Sequence, residues 1–511
     1  DSTGGATGDT STGAATGGAS GDSTGAASGD STGTANGGST GGSTSAPPLD
    51  PCGDGTEALA AGLRIRQIAL YQAVKVPLMT NGTWASTRTA PVVQGKEALV
   101  RGFVDTLAGY TSRNVQGVLT LDNAGVLTNL VEELRPTAAS TDASLSSTFN
   151  FDVAGADIGP DTKVSLALID PSCPSTLGSA SDARFPASGT QPLGAERVGK
   201  LRVVVVPVVV SGRMPDTSPT QINNMRDAML AHYPVPDVEI TVRAAITANA
   251  NLSANGGGWS DVLNQVIRQR RTDAPAKDVY YYGVVAPASS FNTYCRGGCV
   301  LGLAPQTTFV SADQQAGLGV GFLADTTPDT MVHELGHAHG RGHAPCAPGG
   351  GIQGVDGSFP HSGGGIGVWG WDSRDGTLQN PASVKDVMGY CSPTWISDYT
   401  YKALAVRSTA VNQASKLRTS DGVVWQGMLL YADGSSRWAG MTTDTRPGGD
   451  VETATVLDAT GAAIAQVEVT RIKLSHVDDQ LLYVPQTQPS WASLVLSDRT
   501  ISLSRVAAPL P

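Results

Sequence analysis

Five of the seven histidines fall between positions 333 and 361, and one stretch among them restricts the fold more than any other feature. It reads His333-Glu334-Leu335-Gly336-His337-Ala338-His339-Gly340-Arg341-Gly342-His343. On a helix, His333 and His337 stand one above the other on a single face, so both imidazoles can reach one ion. Thr327 as cap, with Pro328 and Asp329 in the first turn, predicts where that helix starts. Gly340 predicts its stop, because a glycine accepts the left-handed backbone that lets the chain reverse and bring His343 back as a third ligand. Three neutral imidazoles leave the fourth position of a zinc ion open to water, which is the pattern of a catalytic site. Glu334, next to His333 but turned toward that water, is placed to take its proton.

The string resembles the extended zinc signature of the metzincin metallopeptidases, which also require a methionine-containing turn downstream. Asp386-Val387-Met388-Gly389-Tyr390 fits that turn. By this resemblance Met388 is an apolar floor under the imidazoles, and Tyr390 stabilises the oxyanion formed when water attacks a carbonyl. Trp369-Gly370-Trp371-Asp372, together with a β module ahead of the catalytic part, resembles the StcE-like secreted bacterial proteases, several of which cut mucin-type glycoproteins. Ala344 follows His343 where the astacin pattern has Glu, and pappalysin-like proteases remain a sibling alternative. The resemblance implies a zinc-dependent endopeptidase holding one catalytic Zn2+. An extended substrate would add to an edge strand near Gly298 to Leu303. The rival reading is a surface adhesin or glycan-binding protein around an inactive zinc domain, against which the intact Glu334 argues.

The remainder of the chain predicts a multidomain α+β protein, with a metzincin-like α/β catalytic domain between N-terminal and C-terminal β-sandwich-like modules. Residues 1–46 use only Asp, Ser, Thr, Gly, Ala and Asn, which bury too little surface to offset ordering, so 1–50 is expected to be a disordered tether. Short alternating apolar runs make 51–196 a β-sandwich module. From Leu201 the order strand, helix, strand, helix, strand implies a parallel sheet within a catalytic domain spanning 197–408. Hairpin signals at Asp433-Gly434 and Thr460-Gly461 mark 409–511 as a further β module.

Lys and Arg number 34 against 45 Asp and Glu, a net charge of −11, and no basic run appears, which sets nucleic acid aside as a partner. A chain opening at Asp1 with such a tether suggests an exported bacterial protein, extracellular or at the cell surface, held to a membrane only through an N-terminal lipid anchor. The expected partner is an extracellular protein or glycoprotein, and the expected state a monomer.

Six cysteines in an exported chain point to three disulfides among 15 formal pairings. Cys295 with Cys299 reads as a local clip, and Cys52 with Cys173 as a staple of the first module. If His343 is a ligand and Met388 the floor beneath it, Cys346 and Cys391 are carried to the same place. Lesser candidates are His361, Trp369 and Trp371 as cleft residues. His339 reads as a solvated or outer side chain, and His232 and His476 as structural. Calcium at Asp372 and Asp375 lacks enough oxygen ligands at loop spacing.

Overall fold

The computed structural model describes residues 58–173, 180–306, 314–322, 326–347, 351–414, 422–443 and 445–503. The expected tether and Cys52 lie outside the described residues. No helix among them is long and apolar enough to cross a membrane.

The first part of the described chain is two antiparallel sheets face to face. One is built on the long Leu63–Thr80 strand, which pairs with Ala98–Thr106, itself paired with Phe149–Val153. The other has Val115–Asn123 between Val126–Leu134 and Lys163–Ile169. Glycines set how closely the sheets approach: a Cβ on Gly102 would lie 2.8 Å from Leu166, and one on Gly117 2.5 Å from Phe149.

The central sheet runs Val238–Val242, Leu201–Val210, Val279–Val285 and Ala316–Val320, all parallel, and ends in the short antiparallel edge strand Gly302–Leu303. Its β-branched strands are apolar on both faces because helices cover both. The alternation of strand side chains divides them between two cores. Val203, Val205, Tyr280, Tyr282 and Val284 pack with the helices Pro219–His232 and Thr326–Ala338 and with the first two sheets. Val206, Val208, Val210, Tyr281 and Val285 pack with the helix Trp259–Asp273 and with the C-terminal sheet. Ser218 caps the first of these helices, its hydroxyl accepting from the Gln221 N–H, with Pro219 in the first turn. Met225 and Met229, four residues apart on one face of that helix, are buried in the core.

The C-terminal sheet is antiparallel, in the order Ser436–Thr443, Trp425–Leu430, Gln480–Pro485, Ala463–Leu474, Asp450–Leu457, Ser493–Val495 and Thr500–Ser502. Gly434 and Gly461, with φ of 88° and 84°, sit in its predicted hairpin turns.

Two strands cross the boundaries drawn from sequence. Gly370–Asp372 pairs with the Leu63–Thr80 strand, aligning Trp371 with Ala73, so a piece of the expected catalytic segment extends the first sheet. Pro305–Gln306 pairs antiparallel with the end of Ala463–Leu474, tying the chain just after the edge strand to the C-terminal sheet.

Candidate metal centre and catalytic cleft

The helix Thr326–Ala338 carries His333, Glu334 and His337. It ends where predicted: Gly340 has φ 86°, and the Arg341 N–H donates to the Gly336 carbonyl across the reversal. The returning chain is held by backbone bonds from the His343 N–H to the Gly354 carbonyl and from the Asp356 N–H to the His343 carbonyl. Arg341 and Asp356 close an ion pair at 2.7 Å beside it.

All three imidazoles are fixed in the same way. Nδ1 of His333 lies 2.7 Å from the Val387 carbonyl, Nδ1 of His337 2.7 Å from the Arg341 carbonyl, and Nδ1 of His343 2.5 Å from the Gln353 carbonyl. A carbonyl oxygen only accepts, so each Nδ1 must carry the proton, and each Nε2 presents a lone pair. Those lone pairs converge, with His337 Nε2 3.1 Å from both His333 Nε2 and His343 Nε2. Unprotonated nitrogens at that distance repel one another, and a cation between them turns the repulsion into coordination. Tetrahedral zinc with nitrogen ligands at about 2.0–2.1 Å has neighbouring nitrogens about 3.3 Å apart, so the donor set fits such an ion. Burial pushes His333 down to about 3 and His343 down to about 4, and holds His337 well below its ordinary value, which keeps all three neutral as ligands must be.

Met388 is buried beneath this cluster, its sulfur 2.4 Å from where a Cβ on Gly336 would lie. Gly336 therefore lets the helix and the methionine turn meet. Asp386 holds the turn, accepting from the Met388 and Ser397 N–H groups at 2.8 and 2.9 Å. The ligand loop and the turn are stitched by the Ala344 N–H to the Met388 carbonyl, the Tyr390 N–H to the Cys346 carbonyl, and the Cys346–Cys391 disulfide. Cys295–Cys299 is also bonded. Cys173 is disulfide-bonded as well, but the expected pairing with Cys52 reaches outside the described residues.

Glu334 is 1% exposed. Burial pushes its carboxyl up to about 8, opposed by the neighbouring His333 and by a hydrogen bond from the Ser475 hydroxyl at 3.0 Å. It packs on the edge strand so tightly that a Cβ on Gly302 would lie 2.4 Å from its Cγ. Tyr390 places its hydroxyl 3.1 Å from His343 Nε2.

The fourth histidine at the site was missed from sequence. His476, read as structural, stands at the turn between the Ala463–Leu474 and Gln480–Pro485 strands and joins His333, His337 and His343 in one cluster of ligand atoms within 4.8 Å of one another. Its Nδ1 lies 2.5 Å from the Tyr390 hydroxyl, and its Nε2 2.9 Å from Glu334 Oε1. His339 points away from the ligands as expected, yet it is buried rather than solvated. It stacks on Tyr280, and its Nδ1 meets the Leu335 carbonyl at 2.6 Å.

Three cleft candidates are corrected. Trp369 and Trp371 pack with Ala69, Tyr71, Leu99 and Phe103 on the first sheet, because their strand pairs there. His361 bonds Asp398 at 2.7 Å at the start of the last helix. The calcium idea also fails: Asp372 is taken by Arg374, and Asp375 by Thr377. The cavity beside the imidazoles, of about 540 Å³, is instead lined by Val300, Leu301, Gly302, Glu334, Tyr390 and His476 among others.

A buried triad of lone pairs beside a carboxylate, at the mouth of a cleft along a sheet edge, defines the class as a metallopeptidase. Residues 311–420 match the Peptidase M66 family, and that stretch contains the three imidazoles, Glu334, Met388 and Tyr390. Comparison with curated proteins finds no match. Metalloproteinase-II from Bacteroides fragilis aligns over 61% of this chain and 82% of its own, at 10% identity and a TM-score of 0.24, a likeness too loose to carry an argument.

Proposed function

We propose that this chain is an exported, zinc-dependent endopeptidase of the metzincin type, related to the StcE-like proteases and acting on extracellular proteins, with mucin-type glycoproteins as the candidate substrates. The convergence of three carbonyl-fixed imidazoles beside Glu334 carries the reading, and the match to Peptidase M66, the family that includes StcE, supports it. His333, His337 and His343 would hold the ion. When bound, zinc supplies Lewis acidity to a scissile carbonyl and to the attacking water.

The remaining steps belong to the chain. The cleft along Val300 to Gly302 offers an extended peptide the rim of the edge strand. Glu334 accepts the proton of the attacking water and delivers it to the departing amine, from a buried position next to the ligand His333. Tyr390 donates its hydroxyl to the tetrahedral oxyanion, a role that its raised pKa, caused by burial, leaves it protonated to perform.

Digestion of casein, of a peptide library and of an intact mucin, with chelator and after zinc is restored, tests the proposal. Chelator-sensitive cleavage restored by zinc is expected. Cleavage of mucin but not of unglycosylated peptides assigns a glycan requirement, and cleavage untouched by chelation refutes the mechanism.

A further inference from the structure

His476 does not belong to the helix, loop or turn that build the triad, nor to the residues matched by the family model. It nevertheless sits over the triad symmetrically. Its ring centroid lies 5.1, 5.3 and 5.0 Å from those of His333, His337 and His343, while the three among themselves lie 4.7, 5.4 and 4.6 Å apart. Six nearly equal separations among four rings describe a tetrahedron of imidazoles. Nδ1 of His476 is occupied by Tyr390, whereas Nε2 is buried with no hydrogen-bond partner, its 2.9 Å approach to Glu334 lacking the geometry of one. The φ of His476 is +60°, a backbone that a non-glycine residue keeps only where its surroundings hold it.

The strand leading to His476 behaves like a bound peptide. Leu474 and Lys473 pair antiparallel with Pro305 and Gln306, immediately beyond the edge strand. The Ser475 N–H donates to the Ala304 carbonyl at 2.9 Å, and the Ala304 N–H donates to the Ser475 hydroxyl at 2.9 Å. Such pairing is how an extended substrate adds to an edge. The tip also divides the cleft: His476 lines both the cavity of about 540 Å³ on the Glu334 side and a second of about 400 Å³ holding Gln306, His343 and Gln353.

We propose that His476 is a fourth protein ligand of the same ion, presented by the C-terminal sheet in the manner of a substrate, so that the described state is a closed resting form. The proposal rests on the metallopeptidase reading of the triad. Withdrawal of the Ser475 to Asp479 tip would free Glu334 and Tyr390 together, open a coordination position, and join the two cavities into one groove past the ion.

The test is the visible spectrum of the cobalt-substituted full chain, titrated with azide, for wild type, His476→Ala and His476→Gly. Glycine suits the left-handed backbone and guards against a folding defect in the alanine variant. Expected is a wild-type spectrum indifferent to azide, and variant spectra of altered shape that azide shifts saturably. The variants should also lose metal affinity by at least the roughly 10-fold typical of altered outer-shell partners, and hydrolyse a short peptide faster than wild type. Equal azide response in wild type and both variants, or unchanged variant spectra, overturns the fourth ligand while leaving the triad reading intact. Failure of wild type to bind cobalt, or full retention by His337→Ala, overturns the triad reading and this inference with it.

Discussion

The two faces of the central sheet are covered by different means. On one face, the helices Pro219–His232 and Thr326–Ala338 merge with the first β-sandwich into a continuous apolar core that also contains Met388. On the other, the helix Trp259–Asp273 meets the C-terminal sheet through a second core, laced with polar contacts: Asn264 to the Ala439 carbonyl, Ser260 to Asp479, and Tyr431 to Asp261. The first face supplies the ligands and their supports. The second supplies the turn that reaches over them. Rigidity at the triad and access to it are thus set by separate cores, and each can be perturbed alone.

The largest expected effect lies on the first face. Glu334→Ala should lower casein hydrolysis by ~10² to 10⁴ while metal content, read by elemental analysis, stays at the wild-type level. A near-normal rate in a chelator-sensitive preparation would falsify the assigned role.

On the second face, Leu429→Ala removes a fully buried side chain and should cost about 2–5 kcal/mol. Denaturant unfolding followed by both fluorescence and metal release should show the C-terminal sheet loosening before the metal departs. A single coincident transition, shifted as a whole, would mean that the two cores cooperate as one.

His232 provides a pH handle on the first face. It is buried against Trp395, with Nδ1 bonded to the Ala228 carbonyl, and burial pushes it down to about 4. Its folded pKa lies below the ordinary 6.5, so the unfolded chain binds the extra proton first. Stability is unpenalised above pH 6.5 and falls as pH drops toward 4, by roughly 3 kcal/mol in all. His232→Gln should flatten the dependence of melting temperature on pH within that window. An unchanged slope would assign the acid sensitivity elsewhere.

The smallest effect tests the fit between edge strand and carboxylate. Gly302→Ala must displace the Glu334 side chain, and should slow turnover roughly tenfold, about 1.4 kcal/mol, with little change in melting temperature. Unaltered turnover would show that Glu334 tolerates the shift.

Much of the first face was legible because its chemistry is local. His333, His337, Gly340 and His343 are related by helix period and one turn, and Met388 and Tyr390 lie in a turn with a recognisable pattern. His476 obeys no such period: its place depends on a sheet docking against a distant helix, and nothing local distinguishes a turn histidine in Ser475-His476-Val477-Asp478-Asp479 from a solvated one. Gly302 was equally silent, since the group it makes room for comes from another element. Trp369 and Trp371 were misplaced for a different reason. Their two-residue spacing is that of one face of a strand, but the aromatic pair was read as lining a cleft.

The insertion of Gly370–Asp372 beside the Leu63–Thr80 strand bears on how the molecule can be cut. Lys75 donates its N–H to the Trp369 carbonyl, and Trp395 donates its indole N–H to the Ala73 carbonyl, so the two segments share a seam of backbone and aromatic contacts. A fragment beginning near residue 197 would strip the partner from that strand and bare Trp369 and Trp371 to solvent. Exposed strand rims flanked by aromatic surface are templates for self-association. Such a fragment is expected to accumulate as aggregates, and rescue by co-expressing residues 51–196 would show the sandwich acting as an intramolecular chaperone for the segment that follows it.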